Sequence, residues 1–238
     1  MAPVGFSVAF DGERASGMYP TLLRELNAAT GCQFNIRRVP RARLQKMFEL
    51  GEADVMAPAA RSPEREALGE FVGLVQFRPG VLAVSRERPL PHSLAELIAR
   101  RTDKVAVVRG YTYGPAYDDA MAVLRAQQRL LEQADAFGVA RALHVGLAQV
   151  TIMTPNAFIG TLHQDAELTP LIKQLRVVPL AELGWADSGV YLSRRLPDAD
   201  RRLLADGFRQ LARSGRVWQL FNDIYPAGSL KDSIRPLP

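Results

Sequence analysis

Apolar and polar positions alternate between two periods along this chain. After Pro20, Tyr19, Leu22, Leu23, Leu26 and Ala29 share one helical face, and Gly31 supplies a stop. Residues 33–39 then alternate as a strand. A second helical stripe, Leu44, Met47, Phe48 and Leu50, ends at Gly51, and a short apolar strand covers 54–57. Strand, helix, strand in this order predicts a parallel sheet. Residues 71–86 read as one extended stretch. Ser93 and Glu96 form a capping box ahead of a helix through Leu94, Leu97 and Ile98. A buried strand at 105–108 leads to a glycine-flanked turn, helices at 115–127 and 136–145, and a strand at 149–153. Pro155 suits the first turn of another helix. Strands at 175–180 and 188–193 precede two closing helices, one with Leu203, Leu204, Phe208 and Leu211, the other with Val217, Trp218, Phe221 and Ile224. The alternation predicts an α/β fold.

Composition narrows the functional classes. The 238 residues suit one large domain or two small ones, and no run of 18 apolar residues spans a membrane. The net charge is +5, yet the Arg residues are dispersed, and no basic helix or aromatic-basic stripe predicts a nucleic-acid partner. Cys32 is the single cysteine, and His92, His144 and His163 lack metal-ligand spacing, so neither a disulfide, a metal nor a cofactor is expected. No glycine-rich nucleotide fingerprint occurs. The adjacent acids Asp118 and Asp119 point to diverging faces of a helix.

Two local patterns carry chemistry. Gly110-Tyr111-Thr112-Tyr113-Gly114 lies between a strand and a helix. It places a Thr where a nucleophile elbow has Ser, but no acid–histidine pattern follows it. Free amides at such a junction suit an anion instead. In Arg61-Ser62-Pro63-Glu64-Arg65, Ser62 is an N-cap and Pro63 a first helical residue. A cation just inside that helix opposes its dipole unless an anion sits nearby.

The ordered set Asp11-Gly12, Gly17-Met18-Tyr19-Pro20, Leu22-Leu23, Gly31, Gly51-Glu52-Ala53-Asp54 and Ser62-Pro63-Glu64-Arg65 resembles the family 3 extracellular solute-binding proteins. The resemblance runs on through Ser93-Leu94-Ala95-Glu96-Leu97, residues 105–110, His144-Val145-Gly146 and the closing Leu211-Ala212-Arg213-Ser214-Gly215 and Phe221-Asn222-Asp223-Ile224-Tyr225, so it covers nearly the whole chain. It implies a two-lobed type II periplasmic-binding-protein fold, each lobe a mixed sheet flanked by helices, joined by two hinge strands. Residues 1–86 and 187–238 would form lobe 1 and residues 87–186 lobe 2. It also implies a monomeric periplasmic receptor without catalysis, handing a small polar or anionic ligand to the membrane permease of an ABC transporter. By motif, Arg65 would grip a carboxylate. Ala59 and Ala60 would offer backbone groups, and Tyr111, Thr112 and Tyr113 amides and a hydroxyl; Arg61 and Arg109 are expected nearby. Where family members carry an acid for a ligand ammonium, this chain has Thr154, so anionic ligands without an ammonium are expected to bind at least as well as amino acids. The family's first strand and a secretory leader are not found, as expected if the leader is removed or the start is late. An enzyme on the same scaffold, like cyclohexadienyl dehydratase, and a ligand-sensing domain are the alternatives.

Overall fold

The computed structural model describes residues 1–85 and 89–238. A hairpin of β1 (Ala9–Asp11) and β2 (Arg14–Ser16) leads into α1 (Met18–Thr30). This helix buries Tyr19, Leu22, Leu23 and Leu26 of the stripe its spacing predicts, together with Met18, leaves the expected Ala29 exposed, and ends at a left-handed Gly31. α2 (Arg41–Leu50) ends in the same way at Gly51. There follow β3 (Val55–Ala60), the single turn α3 (Pro63–Glu66), β4 (Gly69–Phe77) and β5 (Gly80–Ala83). α4 (Leu94–Ala99) starts at Ser93, whose Oγ accepts from Glu96 N at 3.0 Å. The reciprocal arm of the box reaches one residue further back, where the Glu96 carboxylate accepts from His92 N at 2.8 Å. Next come β6 (Val105–Val108), α5 (Pro115–Ala126), β7 (Leu130–Gln133), α6 (Ala136–His144), β8 (Val150–Met153), α7 (Pro155–His163), a 3₁₀ turn (Thr169–Gln174) and β9 (Arg176–Pro179). β10 (Ala186–Ser193), α8 (Asp198–Arg213), α9 (Arg216–Ile224) and β11 (Ile234–Pro236) close the chain.

Two main sheets result. The first has the order β11-β4-β10-β3, with every described pairing antiparallel. The second has the order β7-β6-β8-β5-β9 and is mixed: β6 runs parallel to β7 and β8, and β5 antiparallel to β8 and β9. Leu22, Leu26, Val72, Leu204, Phe208 and Phe221 form the core between the first sheet and α1, α8 and α9. The second sheet is covered on both faces, one core containing Leu97, Val105, Tyr117 and Leu124, the other Leu82, Val108, Val139 and Phe158. The chain passes between the sheets twice, at residues 78–79 and 180–185. No helix among the described residues is long and apolar enough to cross a membrane.

The structure corrects several expectations. Residues 33–39 are extended but join no ladder, because β3 is an edge strand with no described partner on that side. Their described backbone links run to Met1, which accepts from Val39 N at 3.1 Å and donates its amine to Arg37 O at 2.7 Å. A groove lined by Met1, Leu23, Phe34, Ile36, Val39 and Val55 separates them from β3. Alternation favours an extended conformation, but a sheet also needs a hydrogen-bonding neighbour, and among the described residues the parallel strand pairs belong to the second sheet. The single stretch 71–86 is two strands in different sheets, and the lobe boundary expected at 86/87 lies outside the described residues. The strand expected over 54–57 extends further, because Pro58, Ala59 and Ala60 belong to β3, where Ala59 pairs with Gly189 and Ala60 with Ser188.

Candidate functional site

A cavity of about 100 Å³ lies where the two sheets face one another, between β3 and α3 on one side and the turn after β6 on the other. Seven of the residues singled out in the sequence line it: Ala59, Ala60, Arg65, Tyr111, Thr112, Tyr113 and Thr154.

Arg65 is placed by a chain of local choices. Pro63 occupies the first position of α3, and Ser62 Oγ accepts from Arg65 N at 3.4 Å. The side chain folds back to donate from Nε to Gln45 Oε1 at 2.9 Å and from Nη1 to Ala60 O at 3.0 Å. Held at two points and only 4% exposed, it keeps Nη2 without a hydrogen bond among the described residues. Burial lowers its pKa from the usual arginine value.

The sequence reading missed a second buried cation. Arg41 is the first residue of α2, 6% exposed, and donates from Nη1 to Pro58 O at 2.5 Å. Burial, and then the charge of Arg65, push its pKa down to about 10. The same dipole conflict that marked Arg65 was legible here, since Arg41 follows Pro40 at a helix start. The carbonyls of Pro58 and Ala60, expected to face a ligand, instead anchor these two arginines.

The opposite wall is built by the turn after β6. Gly110 adopts φ 84°, and a Cβ there would sit 3.1 Å from the Ala42 Cα, so a glycine lets this turn close against the start of α2. Of the turn's amides, that of Tyr111 already donates to Val108 O at 3.1 Å, whereas those of Thr112 and Tyr113 make no described backbone bond. The Thr112 hydroxyl donates to Asp118 Oδ2 at 2.9 Å and accepts from Gly114 N at 3.3 Å. Tyr113 is hydrogen-bonded to the backbone of Thr154, and burial raises the pKa of Tyr111 to about 12 and that of Tyr113 further. These tyrosines are therefore neutral walls. Thr154 caps α7 without a side-chain cap bond. Tyr19, Asn156 and Ser188 add polar groups, and Phe77 and Phe221 apolar ones.

No carboxylate or histidine lines the cavity among the described residues. Asp118 lies behind Thr112, its pKa raised mainly by burial. Arg61 and Arg109, expected near the cleft, do not line it. Arg61 is exposed and paired with Glu66 at 2.6 Å, and Arg109 is exposed at the end of β6. No acidic, cysteine or histidine cluster that could hold a metal occurs among the described residues. The arrangement is a pocket with two fixed guanidinium groups, free amides and aromatic walls, which suits a small anion.

No family model matches the chain, and no curated relative is found. Solved structures do match. The GluR0 ligand-binding core in complex with L-glutamate aligns at a TM-score of 0.74 with 19% identity, over 95% of this chain and 96% of that one. A histidine kinase sensor domain with similarity to periplasmic binding proteins aligns at 0.74 with 16% identity, over 94% and 93%. The arginine-, lysine-, histidine-binding protein ArtJ from Geobacillus stearothermophilus aligns at 0.72 with 13% identity, over 95% of each chain. At such identities the likeness shows the fold, and the fold is the two-lobed periplasmic-binding-protein type.

Proposed function

We propose that this chain is the solute-binding receptor of an ABC uptake system, a periplasmic monomer that closes its two lobes on a small carboxylate and presents it to a membrane permease. The observation that carries this reading is Arg65, buried and anchored at two points, with the unused edge of its fork in a cavity between the lobes. A preorganised guanidinium of this kind recognises a carboxylate through two parallel charge-assisted bonds. Ala59, Ala60, Tyr111, Thr112, Tyr113 and Thr154 complete the binding surface. Sheet membership supports lobes that divide at 78–79 and 180–185, rather than at 86/87 and 186/187. The cavity's lining supports holding and release over turnover, since it offers two arginines and neutral hydroxyls but no described acid–base pair. The likeness to a histidine kinase sensor domain supports a second use of the same cleft, as the input module of a signalling protein.

A thermal-shift panel of small carboxylates and amino acids tests the binding, since a ligand at 100 times its dissociation constant stabilises by about 2.7 kcal/mol. Closure is read by small-angle scattering, with a smaller radius of gyration expected at saturation. A panel in which no small anion raises the melting temperature would overturn the proposal.

A further inference from the structure

Resting on the carboxylate-receptor reading above, we infer that Arg41 is a second anion-binding residue and that the ligand carries two anionic groups, as a short dicarboxylate does. Arg41 and Arg65 stand on different elements, the start of α2 and the turn α3, and both line the same cavity. Each is fixed by backbone carbonyls, Arg41 by Pro58 O and Arg65 by Ala60 O, so neither is free to follow a single ligand group. No carboxylate pairs with Arg41 among the described residues; its charged and titratable neighbours are Arg65, the Met1 amine, Tyr19, Tyr111 and Tyr113. Two like charges, both buried in an aromatic-walled cavity, repel one another and have little solvent around them, and an unpaired buried charge is costly. One carboxylate neutralises one of them. A second anionic group on the same ligand neutralises the other, and the ligand would lie with one end on Arg65 and the other on Arg41.

The test is calorimetric titration at neutral pH with monocarboxylates and dicarboxylates of equal chain length, on wild type and on Arg41→Gln. The best dicarboxylate is expected to bind at least tenfold more tightly than its monocarboxylate partner in wild type. In Arg41→Gln that advantage should vanish, with dicarboxylate affinity falling at least tenfold more than monocarboxylate affinity. Arg41→Lys, which keeps the charge, should restore part of the advantage. Monocarboxylates that bind without any gain from a second anionic group would overturn the role of Arg41 while leaving the receptor reading intact. So would a dicarboxylate advantage that survives Arg41→Gln. If no carboxylate of either kind binds wild type, the receptor reading itself falls. Circular dichroism checks the fold of each variant, and should Arg41→Gln not fold, the wild-type comparison and Arg41→Lys decide.

Discussion

Replacing Arg65 by Ala removes the group on which the carboxylate reading depends. Its Nε and one Nη1 proton are spent on Gln45 and Ala60, which leaves the Nη2 edge of the fork for a ligand. Two charge-assisted hydrogen bonds at about 1.5–3 kcal/mol each give a loss of about 3–6 kcal/mol, or roughly 150- to 25,000-fold in affinity. The ligand-free protein should change little. Truncation forfeits two anchoring bonds but also removes a buried cation that burial disfavours, and the two effects offset to within about 1 kcal/mol. Arg65→Lys keeps the charge without the planar fork and should recover only part of the affinity. Calorimetry with the tightest carboxylate from the thermal-shift panel, beside urea unfolding of the free proteins, gives both numbers. An Arg65→Ala variant that folds normally and binds within threefold of wild type would refute the reasoning.

A further outcome concerns stability. Gly189 lies at the irregularity where β10 shifts register against its neighbours, and an added Cβ would fall 1.9 Å from Val72 O. Gly189→Ala should therefore cost about 3 kcal/mol, and an unchanged urea midpoint would mean that the strands part freely there.

The helices and their ends were legible because their signals are local. Apolar spacing places α1 and α2, left-handed glycines end them, and Ser62 and Ser93 cap α3 and α4 as their side chains suggest. Strands proved harder, since a ladder is a property of two segments. Residues 33–39 alternate well and still pair with nothing but Met1, whereas Pro58, Ala59 and Ala60, poor strand formers, are held in β3 by Ser188 and Gly189. β7 follows a left-handed Gln128 and β11 lies in a proline-rich tail, so neither announces itself by period. At the site, the motif residues of the resemblance converge on one cavity. Arg41 escaped notice because its meaning depends on Arg65, a neighbour only once α2 and α3 are packed.

The ammonium is the sharpest discriminator at this site. Calorimetric titration of the protein with each amino acid beside its deaminated analogue measures it directly. The cavity offers Arg41, Arg65 and the free amides of Thr112 and Tyr113 to an anion, and only Thr154, Asn156, Ser188 and other neutral groups to a cation. The deaminated acids are therefore predicted to bind at least as tightly as the amino acids, because an ammonium buried here would lose its hydration without gaining a carboxylate. A tenfold preference for the amino acid, about 1.4 kcal/mol, would contradict this and require an acidic group at the ligand.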